Sequence, residues 1–315
     1  MLALGEVHTG LLQNSSSLSK IDSVRLLDLV LGERVRESER PIDYVVSPER
    51  LVGVDCPLAT SSQAHVRGVG TVATRTTMTG GHVLQGSAYA WVRPSASTHR
   101  LAWSHYLGRP GVVETIGRAD PRDLARGFVE PTQPLRTLDL GAICDRSLDD
   151  VQRSPVLDRN MSLKTTRTRL RWAAAAGGPD LAGTGGTVQF AVESPTLRTL
   201  RLTVAADAMA ATVALCEDLA LHDWLLTTLL DMIDRNLTSG AGAQSFQRLR
   251  PAIDHLLHLW MPAARLDPAV AGVWERMEHR PGFSRQWHAC VGRIRDQVTV
   301  NAIAVLSGDQ RGAGR

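Results

Sequence analysis

The apolar residues of this chain change period near position 205, and nothing else in the sequence limits its fold as strongly. Before that point, short runs alternate with a period of two, as strands with one buried face do. After it, Leu215, Leu219, His222, Leu226, Leu230, Ile233 and Leu237 recur at steps of three and four, the spacing of an amphipathic helix. The pattern predicts an α+β protein: a β-rich part with antiparallel strands and a few short helices over 1–204, an all-α bundle of four helices over 205–306, and a frayed tail over 307–315. Charge divides at the same place, because residues 205–315 hold 11 Arg against 12 Asp and Glu, net −1, leaving +4 in the first part.

Within the β-rich part, strands are expected over 43–47, 69–77 and 82–92, with Thr79-Gly80-Gly81-His82 as a hairpin turn. A helix over 21–31 should end at Gly32, and Asp120-Pro121 should cap one that Gly127 closes. Residues 130–160 show no clear period. Strict alternation over Thr166–Trp172 puts Arg167, Arg169 and Arg171 on one strand face, and runs at 188–192 and 200–204 would complete a three-stranded meander. The glycine-rich stretch over 177–186 reads as a loop, since Pro179 removes an amide and no Gly-Lys-Ser/Thr follows. Later helices are expected from Phe246 to Trp260, after Asp267-Pro268, and after Pro281-Gly282.

Composition excludes several chemistries. The formal charge of +3 comes almost wholly from arginine; Lys20 and Lys164 are the only lysines, which leaves little room for a Schiff-base or phosphate-loop lysine. Cys56, Cys144, Cys216 and Cys290 are too scattered for a zinc site or disulfide framework and read as reduced thiols. No basic n-region with an apolar stretch opens the chain, and no run of about 18 apolar residues occurs. A cytoplasmic protein with no membrane contact, no cofactor and no metal is expected.

Two features could carry function. His222 interrupts an apolar stripe, where a buried imidazole needs a partner. The face of Arg167, Arg169 and Arg171, extended by Arg198 and Arg201, could meet an anion. His255 and His258 fall away from the apolar stripe of their helix and read as solvated, as do the carboxylates Glu217, Asp218, Asp231 and Asp234. Trp224, Trp260, Trp274 and Trp287 are large anchors of the kind that interfaces use.

Several stretches, namely Gly5-Glu6-Val7, Leu11-Leu12-Gln13-Asn14, Gly53-Val54-Asp55-Cys56-Pro57, Leu221-His222-Asp223-Trp224-Leu225-Leu226, 255–262 and Arg280-Pro281-Gly282-Phe283, resemble an uncharacterised protein family of Streptomyces and related actinobacteria. The resemblance implies protein partners encoded nearby, among them a variant P-loop protein and a methyltransferase-like protein, and supplies no catalytic residue. The leading expectation is a non-catalytic binding or docking component of a multi-protein actinobacterial system. The alternatives are a metal- or phosphate-using enzyme with its site between the two parts, and a nucleic-acid-binding protein using the arginine face, although nucleic acid is the less favoured partner because only 4% of residues are aromatic.

Overall fold

A computed structural model describes residues 1–160, 165–177, 187–238, 253–254 and 256–312. The strands are β1 (Leu2–Leu11), β2 (Arg36–Ser38), β3 (Tyr44–Val46), β4 (Arg50–Leu58), β5 (Val66–Thr79), β6 (Val83–Pro94), β7 (Val112–Ile116), β8 (Thr168–Ala176), β9 (Val188–Val192) and β10 (Leu197–Val204). They form one mixed, mostly antiparallel sheet of 10 strands in the order β2-β3-β5-β7-β6-β1-β8-β10-β9, with β4 added on β5. The helices are α1 (Lys20–Leu27), α2 (Trp103–Leu107), α3 (Pro121–Val129), α4 (Leu140–Gln152), α5 (Thr212–Thr238), α6 (Ala271–His279) and α7 (Phe283–Gly312). Among the described residues no helix is long and apolar enough to cross a membrane. The glycine-rich loop over 178–186, His255 and most of the helix expected over 246–260 lie outside the described residues.

β1 occupies the middle of the sheet, antiparallel to β6 on one side and to β8 on the other. Its alternate residues face different layers, because successive Cβ atoms point to opposite sides of a sheet. Leu2 and Leu4 pack with Leu124 and Phe128 of α3 and Leu140 and Cys144 of α4. Ala3 and Val7 join the cluster of Leu219 and Trp224 from α5. Helices therefore cover both faces, and a strand buried on both sides reads as a nearly continuous apolar run.

Other local signals behave as their chemistry requires. Gly80 and Gly81 take φ of 58° and 65° in the β5–β6 hairpin, and a Cβ at Gly81 would sit 2.2 Å from the Leu18 carbonyl oxygen. Asp120 caps α3, but Gly127 does not end that helix. It lies inside, where a Cβ would meet the Thr60 backbone at 2.4 Å, so the glycine permits close packing. α1 stops at Leu27, before the expected Gly32. The three strands after Thr166 are not a meander. β10 inserts between β8 and β9 and runs parallel to β8, which gives its buried Leu197, Leu200, Leu202 and Val204 the inner position and leaves the more exposed β9 at the edge.

The helices after residue 205 do not form a free-standing bundle among the described residues. α5 lies on β1, β6 and β8, and one apolar cluster joins Leu170, Trp172 and Leu200 to Leu219, Trp224, Val273 and Trp287. Being covered on several sides, α5 buries Glu217 and Asp218, which the sequence had suggested were solvated. Arg75 of β5 forks onto Glu217 through two bonds of 2.8 Å. α7 continues to Gly312, through most of the segment expected to fray, as no proline after Pro281 interrupts it.

Gly5 of β1 faces the indole of Trp172, and a Cβ there would lie 2.2 Å from the ring. Gly5→Ala is expected to destabilise the protein by about 1–3 kcal/mol, the usual effect of overpacking a core. Urea unfolding should show a lower midpoint at unchanged slope; an unchanged midpoint would show that the indole yields freely.

Candidate functional site

The strand period that buries Leu2 and Leu4 also turns Glu6 and His8 toward α3 and α4. Directly across the ladder, Arg171 faces Glu6 and Arg169 faces His8. Glu6, His8 and Arg171 are 1%, 1% and 8% exposed, so these charges stand only because each finds partners. α4, capped by Asp139 on the Ala142 amide, brings Asp145 to the same place. Gly141 makes the approach feasible, since a Cβ there would come within 2.9 Å of Glu6 Oε1.

A continuous line of charge-assisted bonds results. Arg171 Nε donates to Glu6 Oε2 at 3.0 Å and its guanidinium also donates to the Glu130 carbonyl at 2.9 Å. His8 Nε2 lies 3.0 Å from Glu6 Oε1 and His8 Nδ1 lies 2.9 Å from Asp145 Oδ1. Arg167 donates to the same Asp145 oxygen at 2.8 Å. Burial alone would drive His8 toward its neutral form, but the bonds to Asp145 and Glu6 outweigh it and raise its pKa. Burial likewise opposes ionisation of Glu6, yet His8 and Arg171 hold its pKa below the ordinary carboxylate value. The His8 bond dominates at Asp145 and lowers its pKa also. A carboxylate oxygen against each ring nitrogen calls for an N–H on both, the imidazolium form, which has no lone pair with which to take a proton from a substrate.

These groups wall an open cavity of about 360 Å³ that residues 133–137 also line. Arg169 reaches it as a half-buried guanidinium that makes no hydrogen bond or ion pair among the described residues. Arg136, in the left-handed backbone region at φ 68°, is an exposed guanidinium on its rim, also without a hydrogen bond or ion pair among the described residues. The three arginines expected on one face therefore have different roles. Arg167 and Arg171 are neutralised by Asp145 and Glu6, and Arg169 alone of the three is available. Arg198 points to the opposite face, where it pairs with Asp223 of α5 at 2.8 Å, and Arg201 bonds Gln189 of the edge strand.

His222 lies on the other side of the sheet. Leu170 and Trp172, the β8 neighbours that point away from the arginine face, share its cluster with α5. His222 Nδ1 donates to the Asp218 carbonyl one turn back at 2.7 Å, while Nε2 has no hydrogen-bond partner among the described residues. Its ring meets the edges of Trp260 and Trp274, at 5.0 and 5.6 Å between centroids, and Trp260 stacks on Trp287 at 4.1 Å. Burial dominates and lowers the His222 pKa against the opposing charge of Asp218; Arg265 also lowers it and Glu278 raises it. Trp224, Trp274 and Trp287 are buried and Trp260 is half-buried, so these rings pack the interior instead of standing out as interface anchors. Among the described residues no group of three His, Cys, Asp or Glu side chains could hold a metal ion.

The sequence alone assigns no role to Glu6, His8 or Asp145. The first two left a signal: they occupy the parity of Leu2 and Leu4 in a strand otherwise too apolar to face water. Asp145 left none, because α4 arises in the stretch without a clear period.

Removing Arg171 with Arg171→Ala leaves Glu6 buried and short of a partner, with an expected loss of about 3–5 kcal/mol. Arg169→Ala should stay within about 0.5 kcal/mol, as surface substitutions do. Denaturant unfolding of both variants checks this contrast, and equal losses would contradict the division of roles.

The two histidines impose opposite pH dependences. His8, raised when folded, contributes stability that is present below its unfolded value near pH 6.5 and lost as pH rises through its folded pKa. His222, lowered when folded, makes the protein lose stability as pH falls below about 6.5, since the unfolded chain binds the extra proton. His222→Gln should flatten the decline in unfolding midpoint between about pH 6.5 and 5; a slope equal to that of the wild type would refute the assignment.

Comparison of the chain with protein-family models, with curated proteins and with solved structures finds no match.

Proposed function

We propose that this protein is a binding component, not a catalyst, and that it takes a small anion into the cavity between β1, β8 and α4. Arg169 carries the reading: among the described residues it is an unpaired guanidinium on the wall of an open polar cavity, beside two arginines whose charges are already balanced. The locked His8 argues for binding over acid–base chemistry, as both its nitrogens are engaged with carboxylates. His222 and the arginine face lie on opposite sides of the sheet, so a shared catalytic site has no support. The reading makes the chain one member of a multi-protein actinobacterial system, with the β-rich part as its ligand-binding platform and a protein encoded nearby as its partner. A cytoplasmic setting is supported by four free cysteines, three of them buried.

Thermal unfolding in sodium phosphate against sodium chloride of matched ionic strength tests the binding. Wild-type Tm should rise with phosphate, because a ligand at 100 times its Kd stabilises the folded state by about 2.7 kcal/mol. Arg169→Gln should abolish the rise. A wild-type Tm equal in the two salts ends the proposal.

A further inference from the structure

The cavity also constrains which anion it takes. The lining carries Arg136, Arg169, Arg171 and His8 against Glu6, Asp139 and Asp145, and Arg167 stands behind it on Asp145; with His8 doubly protonated between its two carboxylates this is an excess of two positive charges. A dianion neutralises that excess, and a monocarboxylate does not. Arg169 and Arg171 are two residues apart on one strand face, about 6.6 Å along β8 at the usual rise. Side chains so placed can reach one group from different directions. A tetrahedral phosphate accepts donors on all sides, whereas a carboxylate accepts in its plane.

The rest of the lining defines what the phosphate is attached to. Among the described residues no Phe, Tyr or Trp ring lines the cavity, and the His8 imidazole is held between two carboxylates, so a nucleobase would find little surface on which to stack. Its apolar side chains are few, chiefly Pro134, Leu135 and Ala142. Asp139 and Gln133 also line the cavity; Asp139 uses one oxygen for the Ala142 amide, and Gln133 commits its amide nitrogen to the Phe128 carbonyl, leaving carbonyl and carboxylate oxygens to accept hydroxyls. A volume of about 360 Å³ lies at the small end of ligand pockets.

We infer that the cavity selects a phosphate monoester of a small, non-aromatic polyol, a sugar phosphate or glycerol phosphate. The inference rests on the anion-binding reading and narrows it. Phosphate is the group that Arg169 takes, with Arg171 held rigid by Glu6 beside it, and hydroxyls are what the Asp139 side accepts.

Isothermal titration calorimetry of the full chain at fixed ionic strength separates the two levels, with glucose 6-phosphate, glycerol 3-phosphate, inorganic phosphate, succinate and AMP as probes. At least one of the two polyol phosphates should bind about tenfold or more tightly than succinate and AMP, a difference of about 1.4 kcal/mol. Asp139→Asn, which retains a helix-capping side chain, should weaken that ester relative to inorganic phosphate, whose binding should not fall, because a negative charge is removed from the lining. Arg169→Gln should weaken both, with an unfolding midpoint close to wild type showing that the fold is intact. Succinate or AMP binding as tightly as both esters would overturn the polyol phosphate and leave anion binding standing. Heat from none of the five probes would overturn both.

Discussion

A carboxylate and an imidazole in the central strand of a sheet covered on both faces are the constraint around which this structure is arranged. Glu6 and His8 cannot reach bulk water, and an isolated ion there would be destabilising by several kcal/mol. Arg171 must therefore sit across the ladder, Asp145 must arrive on α4, and the start of α4 must carry a glycine to come near enough. Register, helix placement and side-chain identity are coupled through these bonds. Sliding β8 by one residue would turn Arg171 to the wrong face and leave Glu6 unpaired.

The same requirement separates the two sides of the sheet in character. Toward α3 and α4, charges are balanced in pairs around an open cavity, and the leftover guanidinium of Arg169 is exposed to whatever enters. Toward α5, polar groups are sealed. Arg75 closes on Glu217, Arg198 on Asp223, and His222 is walled by tryptophans. Burial pushes the Asp223 pKa up to about 6 in spite of Arg198, which shows how dry that layer is. An accessible binding site and a sealed interior thus lie on opposite faces of β8, whose alternate residues serve one or the other.

Much of the local structure follows directly from residue chemistry. The Gly80-Gly81 turn, the Asp120-Pro121 cap and the long helix after 205 are fixed by short-range geometry, and they are found where that geometry puts them. The sequence misleads where a residue answers to a distant neighbour. Gly127 looks like a helix stop but serves the Thr60 backbone, Glu217 and Asp218 look solvated but pair beneath α5, and Trp260 and Trp287 look like anchors but stack on each other. β1 itself gives little warning, since a strand buried on both faces loses the clean alternation that marks a half-buried one.

By itself the sequence determined the division into strand-forming and helix-forming parts, the caps and turns, the common face of Arg167, Arg169 and Arg171, and the oddity of His222. These depend on periods of two and 3.6 residues and on backbone preferences, which are properties of neighbours in the chain. The tertiary structure alone decided that Arg167 and Arg171 are neutralised while Arg169 has no partner among the described residues, and that His222 lies behind the sheet from them. Pairing of charges depends on which strands become adjacent and which helix covers them, and Glu6 is separated from Arg171 by 165 residues. A guanidinium on an alternating strand looks the same in sequence whether a carboxylate waits across the ladder or an open cavity does.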